Sequence, residues 1–200
     1  MLNRYARALF TKAFTPLARA LLRAGVSPDV VTLLGTVGVT AGALAFYPRG
    51  EFFVGTLVVT AFVFSDLVDG TMARLSERSS RWGAFLDSTL DRVADAAVFG
   101  GILLWYAGDG DDLLMAALTL WCLVSGAVVS YVKARAEGLG MTADVGIAER
   151  AERLVVVLLT TGLSGLGVPY AQAAGLWLLA VAAAVTVVQR MTEVRRQAVA

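Results

Sequence analysis

The chain has 200 residues, of which 58% are hydrophobic and 16% are charged. This composition excludes an ordinary soluble domain and predicts an integral membrane protein. The formal net charge is only +1 and histidine is absent, so we expect no nucleic-acid partner, and any catalysis must use carboxylates, cations or hydroxyls. The single cysteine, Cys122, lies in an apolar run, which excludes a disulfide within the chain and indicates a packing role.

The first predicted element is an amphipathic helix over residues 2–23, within an N-terminal interfacial segment at residues 1–28. Apolar side chains recur there at helical spacing from Leu2 to Leu21, together with five cations and no acid. Each cation near anionic headgroups favours membrane binding by roughly 1 kcal/mol. The pattern therefore predicts a helix that lies in the membrane interface.

Six later segments are each long enough to cross a bilayer, which needs about 20 mostly apolar residues. They are predicted at residues 29–47, 52–75, 83–107, 112–136, 147–167 and 170–191. Turn-forming glycines, prolines and polar residues separate them. We therefore expect an all-α integral membrane fold, with one domain over residues 1–200 and a six-helix transmembrane core at residues 29–193.

The cations fall almost entirely at one end of these predicted spans. At the opposite end lie Arg49 and the acidic loop of Asp109, Asp111 and Asp112. Short cytoplasmic loops are enriched in Lys and Arg. The sequence therefore predicts a multi-pass plasma-membrane protein whose two termini face the cytoplasm.

Four aspartates follow helical spacing on the second and third predicted spans. Asp66 and Asp69 are three residues apart, and Asp87 and Asp91 are four apart, so each pair shares one helix face. An antiparallel hairpin that turns at residues 78–79 would bring Asp66 level with Asp91 and Asp69 level with Asp87. We therefore expect the four carboxylates to converge on the cytoplasmic side.

Such a cluster requires a bound cation or protonation, because burial and mutual repulsion both oppose ionised carboxylates. Oxygen ligands without His or Cys favour a hard ion such as Mg²⁺, Mn²⁺ or Ca²⁺, and four carboxylates can hold two ions around a phosphoryl group. A structural ion-pair network and a path for cation transport are the alternative interpretations. The small residues Gly70 and Ala73 beside the acids favour the approach of a ligand.

The spacing of these residues resembles the signature of the CDP-alcohol phosphatidyltransferases. The matching pattern is Asp66-x2-Asp69-Gly70-x2-Ala73-Arg74-x8-Gly83-x3-Asp87-x3-Asp91. The resemblance implies six transmembrane helices, a homodimer, and two divalent ions, Mg²⁺ or alternatively Mn²⁺, held by the four aspartates. It also implies that the ions bind the diphosphate of CDP-diacylglycerol, that Asp91 is the general base, and that CMP leaves.

The same resemblance indicates which residues contact the nucleotide lipid. They are Gly70, Ala73, Arg74 and Ser80 near the aspartates, and Asp29, Val30, Val31 and Thr32 at the start of the first span. An ordinary helix N-terminus with capping side chains is the alternative explanation.

A second group of charged residues, all cations, lies on the last three spans at the same side of the membrane. Lys133 and Arg135 end the fourth span, Arg150 and Arg153 begin the fifth, and Arg190 ends the sixth. A phosphate on the acceptor alcohol would suit such a ring. Ordinary positive-inside flanking explains any one of these cations singly, but the set favours a phosphorylated acceptor.

Within the family, the stretch SYVKARAE followed by ERAERL resembles the phosphatidylinositol phosphate synthases of actinobacteria. The likeness implies transfer of the phosphatidyl group to 1L-myo-inositol 1-phosphate, whose phosphate would be bound by Lys133, Arg153 and Arg190, with Arg135 nearby. Ala151 stands where a proline is usual and Ser80 where a threonine is usual. Neither difference removes a functional group.

Three other functions compete with this interpretation of the sequence. A phosphatidylglycerol phosphate synthase shares the aspartate signature and uses glycerol 3-phosphate, and the basic positions on the last three spans discriminate against it. A cation transporter predicts acids spread through the depth of the bilayer, whereas these acids sit at one level. A lipid-binding scaffold without turnover would not require four aspartates at this spacing.

Overall fold

A computed structural model describes residues 14–76 and 80–199. Helix α1 covers residues 14–23, and the later helices are α2 (Pro28–Phe46), α3 (Phe52–Val63), α4 (Ser65–Leu75), α5 (Arg81–Ala107), α6 (Leu113–Glu137), α7 (Arg150–Gly165) and α8 (Ala171–Ala198). A 3₁₀ turn, Tyr47–Arg49, continues α2. The first part of the predicted interfacial helix, residues 1–13, and the predicted hairpin turn at residues 78–79 lie outside the described residues.

Six of these helices form a closed ring around one apolar core. Each packs on two neighbours in the order α2, α5, α6, α8, α7 and α3, and α3 returns to α2. All six contribute buried side chains to the core, among them Val39, Val59, Val98, Cys122, Val157 and Leu176. Cys122 has the packing role that its apolar surroundings in the sequence indicate.

Helix α2 approaches its neighbours closely because glycines face the contacts. A Cβ atom at Gly42 would lie 2.8 Å from the side chain of Val58 on α3, and one at Gly101 of α5 would lie 2.7 Å from the carbonyl oxygen of Ala43. Small residues at helix contacts allow this close backbone packing in membranes. Since α2 also packs against α4, it holds the two aspartate-bearing helices in one place.

The predicted span 52–75 is broken at Phe64 into α3 and α4. No proline or glycine lies at residues 56–69, so the usual sequence signals of a break are absent. The new helix begins at Ser65 and places Asp66 in its first turn, where the helix dipole favours negative charge. The break therefore provides a helix N-terminus at the first aspartate of the motif.

Helix α1 packs on α4 in the described residues. Ala18 forms a buried cluster with Val68 and Met72, and the rings of Phe14 and Phe64 are 6.2 Å apart. The apolar face of α1 therefore braces the helix that carries Asp66 and Asp69.

The protein is a multi-pass membrane protein by the length and composition of its helices. Within the described residues, four stretches qualify as membrane spans: Pro28–Arg49, Phe52–Leu75, Leu113–Glu137 and Ala171–Ala198. Helix α5 has 27 residues but carries the aspartate stripe, and α7 has 16 residues, about 24 Å of helix. Many large apolar side chains face outward, including Leu34, Leu57, Trp121, Leu159 and Val181, as expected of a surface in contact with lipid.

Candidate active site

An acidic cavity of about 240 Å³ opens between α2, α4 and α5. Three of the four motif aspartates, Asp66, Asp69 and Asp87, line it. The other lining residues are Pro28, Asp29, Thr32, Gly70, Ala73, Ser80, Gly83 and Ala84. Five residues for which the sequence predicts contact with the nucleotide lipid are thus brought together with the acids: Asp29, Thr32, Gly70, Ala73 and Ser80.

Two helix N-termini form the walls of the acidic cavity. The Ser27 side chain caps α2 by accepting a hydrogen bond from the Val30 backbone at 3.4 Å. The Ser80 side chain caps α5 by accepting one from the Gly83 backbone at 2.9 Å. The Ser80 hydroxyl is therefore a helix cap, and the residue also lines the cavity.

Asp69 is the most buried of the motif aspartates, with 6% of the residue exposed. The Thr32 hydroxyl donates a hydrogen bond to Asp69 Oδ2 at 2.6 Å and also lies 3.1 Å from the Pro28 carbonyl oxygen. Thr32 is itself buried. The first turns of α2 therefore fix the orientation of a carboxylate on α4.

Asp91 lines a second cavity, the basic cavity, of about 400 Å³. This cavity lies between α5, α6, α7 and α8, and its charged lining residues are Asp91, Arg92, Lys133, Glu137, Glu149, Arg150, Arg153 and Arg190. The predicted acceptor residues Lys133, Arg153 and Arg190 are thus gathered around the predicted base. The two cavities adjoin, because Ala84 lines both of them.

Arg150 joins the acids of the two helices. Its Nη1 atom lies 2.8 Å from Asp91 Oδ1 and 3.3 Å from Asp66 Oδ2. The level pairing of Asp66 with Asp91 that the hairpin argument predicts is therefore seen through a shared arginine. Direct packing between α4 and α5 is slight in the described residues, and α2 contacts both.

Asp95, one turn beyond Asp91, forms a buried ion pair with Arg153. The Arg153 Nη2 atom lies 2.8 Å from Asp95 Oδ2, and the two side chains are 2% and 9% exposed. Arg153 also lies against α6, because a Cβ atom at Gly126 would be 3.0 Å from its Nε. A buried arginine of this kind needs its carboxylate partner, since an uncompensated buried charge costs several kcal/mol.

Arg190 binds backbone as well as lining the basic cavity. It donates hydrogen bonds to the carbonyl oxygens of Val145 and Val129, each at 2.8 Å, and lies 3.4 Å from Glu149. Its side chain is 4% exposed. Arg190 therefore ties the loop between α6 and α7 to both α6 and α8, which fixes the shape of the basic cavity.

Lys133 is more exposed than Arg153 and Arg190, the other predicted acceptor cations that line the basic cavity. It pairs with Asp144 in the loop before α7, and the hydrogen bond from Lys133, followed by its positive charge, lowers the pKa of Asp144. The Lys133 side chain is 38% exposed. An anionic ligand can therefore reach Lys133 by replacing an exposed carboxylate.

Four predicted site residues lie outside the lining of both polar cavities. Val30 is exposed, Val31 packs in the cluster under α1, and Arg135 is exposed on α6. Arg74 lies at the rim of the acidic cavity, with its Nη2 atom 3.1 Å from Thr71 Oγ1 and its Nη1 atom 3.6 Å from where a Cβ at Gly70 would be. Of these four, Arg74 is therefore the one beside the cavity.

A third cavity, the apolar cavity, has a volume of about 560 Å³ and lies between α3, α4 and α7. Val63, Leu67, Leu154, Val155 and Leu158 line it, and Asp66 and Arg150 form its polar end. It is large and apolar enough for hydrocarbon, and it ends at one of the motif acids.

The carboxylates are not pre-arranged as a metal cluster. Among the described residues, no group of three or more acidic or cysteine side chains is placed to hold a metal ion. The contacts explain this arrangement, because Arg150 lies between Asp66 and Asp91 and the Thr32 hydroxyl binds Asp69. For Asp66 and Asp91 to bind an ion together, the oxygens that contact Arg150 would have to exchange that partner.

Residues 25–188 match the CDP-alcohol phosphatidyltransferase family. The chain belongs to this family. It is therefore a transferase, and the family resemblance stated from the aspartate pattern is confirmed.

Two similar proteins indicate the subfamily within the CDP-alcohol phosphatidyltransferases. The chain is 61% identical to the phosphatidylinositol phosphate synthase of Streptomyces avermitilis, over 98% of this chain and 84% of that protein. It is 49% identical to the phosphatidylinositol phosphate synthase of Mycobacterium tuberculosis, over 92% of this chain and 87% of that protein. The actinobacterial subfamily resemblance is confirmed as well.

Crystal structures of the Mycobacterium tuberculosis phosphatidylinositol phosphate synthase have the same fold. The structure with CDP-DAG bound matches with a TM-score of 0.88 and 48% identity, covering 92% of this chain and 94% of that one. The structure in complex with manganese and citrate matches with a TM-score of 0.87 and 49% identity, covering 90% and 88% of the two chains.

Two contacts in the site could not be predicted from the sequence. For Thr32 the sequence indicates a nucleotide-lipid contact or an ordinary helix N-terminus, but not the hydrogen bond to Asp69. For Asp95 it does not identify Arg153 as the partner. The partners lie 37 residues apart for Thr32 and Asp69 and 58 apart for Asp95 and Arg153. The sequence does show polar residues at helical spacing within segments that are expected to be buried. This pattern does not identify which residues pair with each other.

Proposed function

We propose that this protein is a phosphatidylinositol phosphate synthase, which transfers the phosphatidyl group of CDP-diacylglycerol to 1L-myo-inositol 1-phosphate and releases CMP. One observation carries the proposal: the acidic cavity and the basic cavity adjoin, because Ala84 lines both and Arg150 contacts Asp66 of the first and Asp91 of the second. Transfer between a nucleotide lipid and a phosphorylated alcohol needs two adjoining sites of this kind. The names of the relatives agree with this assignment.

The residues present fit divalent metal ions. Asp66, Asp69, Asp87 and Asp91 offer only oxygen donors, which hard ions prefer, and three of them line one small cavity. We assign two ions to them, Mg²⁺ or alternatively Mn²⁺, as the manganese complex of the Mycobacterium tuberculosis enzyme suggests. When bound, such ions would neutralise the diphosphate and make CMP a better leaving group.

The nucleotide part of CDP-diacylglycerol would occupy the acidic cavity. Gly70 and Ala73 leave room there for the ligand, and Asp29, Thr32 and Ser80 present oxygen atoms on the facing walls. Arg74 at the rim supplies a positive charge for phosphate. Val30 and Val31 would act through the position of the α2 backbone.

The acyl chains would enter the apolar cavity. This cavity shares Asp66 with the acidic cavity, so a lipid headgroup at the aspartates can place its hydrocarbon between α4 and α7. Such a route leads from the membrane sideways into the site.

The acceptor would bind in the basic cavity with its phosphate near Lys133, Arg153 and Arg190. Its hydroxyl would then lie next to Asp91, which accepts the proton as the alcohol attacks the β-phosphorus. Arg135, which is exposed on α6, would contribute only a long-range positive potential.

For the whole molecule, we propose a single membrane domain over residues 1–200 with six transmembrane helices. Helices α5 and α7 each lie in the ring between two of the four apolar spans, which supports their place in the bilayer. Residues 1–28 would form the interfacial segment. The cation distribution supports a plasma-membrane protein with both termini and the active site cytoplasmic, and the family resemblance supports a homodimer.

An acceptor comparison tests the proposal. Purified protein is assayed for CMP release from CDP-diacylglycerol with Mg²⁺ and one of three acceptors: inositol 1-phosphate, free inositol or glycerol 3-phosphate. We expect rapid release with inositol 1-phosphate and little with the other two, because only the first has both the phosphate and the ring. Preference for glycerol 3-phosphate would instead identify a phosphatidylglycerol phosphate synthase, and release with none of them would overturn the assignment.

A further inference from the structure

Arg150 contacts three carboxylates on two helices. Besides Asp66 and Asp91, its Nε atom lies 3.4 Å from Asp95 Oδ1. This third contact is an ion pair by distance but is not aligned as a hydrogen bond, so Arg150 Nε is buried without a hydrogen-bond partner. The guanidinium is therefore held by several charges but its hydrogen-bonding capacity is incompletely used.

The neighbouring arginines differ from Arg150 in what they bind. Arg153 contacts the non-motif Asp95 at 2.8 Å, and Arg92 lies 3.4 Å from Asp91. Among the described ion pairs, Arg150 is the cation that contacts motif aspartates of both α4 and α5. It also lines both the apolar and the basic cavity.

A divalent ion and an arginine at short range compete for the same carboxylate oxygens. A divalent ion bound by Asp66 and Asp91 needs those oxygens, and an arginine beside it adds like-charge repulsion. The opposite situation is equally unfavourable, because acids that face one another without a cation repel. An arginine that pairs with the acids without metal, and moves away from them when metal binds, would avoid both kinds of repulsion.

We propose that Arg150 is an exchangeable counter-ion, which pairs with Asp66 and Asp91 until divalent metal takes their oxygens. The inference rests on the metal site of the proposed function. On release, the guanidinium remains in the basic cavity that it already lines. Arg150 is thus a positioning residue for the acids, distinct from the cations that bind the acceptor phosphate.

A purely structural Arg150 makes the opposite prediction. If the arginine held Asp66 and Asp91 in the geometry that an ion needs, its removal would weaken metal binding. If it competes for their oxygens, its removal strengthens metal binding. The sign of the change therefore separates the two roles.

The test measures Mn²⁺ binding to purified full-length protein by the electron paramagnetic resonance signal of free Mn²⁺. Arg150→Gln removes the cation, and Arg150→Lys keeps the charge but lacks the planar guanidinium that reaches three carboxylates. Arg195→Gln, at an exposed arginine near the end of α8, is the matched control for net charge. Because charged hydrogen bonds are strong, we expect the Mn²⁺ affinity of Arg150→Gln to be about tenfold higher than that of the unsubstituted protein, or more. The gain should be smaller for Arg150→Lys, and Arg195→Gln should show no change.

Thermal unfolding of the same proteins provides a second readout. Without metal, Arg150→Gln should unfold at a lower temperature than the unsubstituted protein, and Mn²⁺ should raise its unfolding temperature by more. Should Arg150→Gln fail to fold, the Mn²⁺ affinity of Arg150→Lys decides the question.

Equal or weaker Mn²⁺ binding by the folded Arg150 variants would overturn the inference while leaving the metal site standing. Failure of every protein to bind Mn²⁺, or binding that Asp91→Asn does not weaken, would overturn the proposed metal site and the inference with it.

Discussion

The acidic and basic cavities differ in how their charges are satisfied. In the acidic cavity, the buried Asp69 receives a hydrogen bond from a neutral hydroxyl. In the basic cavity, Arg153 pairs with Asp95 and Arg190 binds two backbone carbonyls. The basic cavity is thus built by contacts that also hold the fold together, whereas the acidic cavity gathers negative charge that suits a cationic ligand.

This difference leads to distinct expectations for substitutions. Changes at the acids should affect the reaction more than the stability of the protein. Changes at the buried arginines should affect both, and changes at the exposed Lys133 should affect acceptor binding alone. Each of the following experiments tests that contrast.

The largest effect on activity is expected for Asp91→Asn. Loss of the general base should lower the rate of CMP release by about 10²- to 10⁴-fold, while asparagine keeps the size of the side chain and an oxygen atom beside Arg150. The measurement is steady-state turnover together with thermal unfolding. Asp109→Asn, in the loop at the other end of the bundle, should leave both unchanged, and substantial turnover by Asp91→Asn would refute the base assignment.

The largest effect on stability is expected for Arg153→Met. Removing the arginine leaves Asp95 buried without its closest cation, which costs about 3–5 kcal/mol. Combining it with Asp95→Leu should recover most of that loss, because two apolar side chains replace the ion pair. The free energy of unfolding of the single and double variants tests this expectation.

The acceptor KM of the double variant distinguishes a structural role of Arg153 from a role in binding the acceptor phosphate. In the stabilised double variant, the KM for the phosphorylated acceptor should stay raised, since the phosphate has lost a cation. A normal acceptor KM in that variant would mean that Arg153 has only a structural role.

A smaller effect, confined to the acceptor, is expected for Lys133→Ala. A charged hydrogen bond is worth about 1.5–3 kcal/mol, so the acceptor KM should rise at least about tenfold. The KM for CDP-diacylglycerol and the unfolding temperature should hardly change, because the Lys133 ion pair is exposed and such pairs add little stability. Equal increases in both KM values would argue against a separate acceptor cavity.

The smallest effect is expected for Thr32→Val. The substitution removes one hydrogen bond to Asp69, worth about 1 kcal/mol, or roughly a fivefold change. Because Asp69 lines the acidic cavity, the change should appear in kcat/KM for CDP-diacylglycerol. Thr32→Ser keeps the hydroxyl and should behave as the unsubstituted protein, and a loss in acceptor binding instead would contradict this placement of Thr32.

Much of the helical architecture could be predicted from the sequence. Apolar runs and turn residues placed the predicted spans 29–47, 83–107 and 112–136 within a few residues of α2, α5 and α6. Helix α8 continues to Ala198, beyond the apolar run that defined the predicted span 170–191, and its last turns are polar. The break at Phe64 could not be predicted, since no proline or glycine marks it and tertiary packing must favour it.

The site could be predicted as a set of residues but not as a set of contacts. Helical spacing put Asp66 and Asp69 on one face and Asp87 and Asp91 on another, and the spacing of these acids led to the family. The pairing of Arg153 with Asp95 depends on how α5 and α7 pack across the ring. Nothing in the local sequence encodes that packing.

The most direct test of the account is CMP release before and after metal removal. Protein is stripped with a chelator, supplied with CDP-diacylglycerol and inositol 1-phosphate, and then reloaded with Mn²⁺ or Mg²⁺. We predict no release from the stripped protein, recovery on reloading, and no recovery for Asp91→Asn. Undiminished release by the stripped protein would contradict the claim that the aspartates of α4 and α5 act through divalent ions.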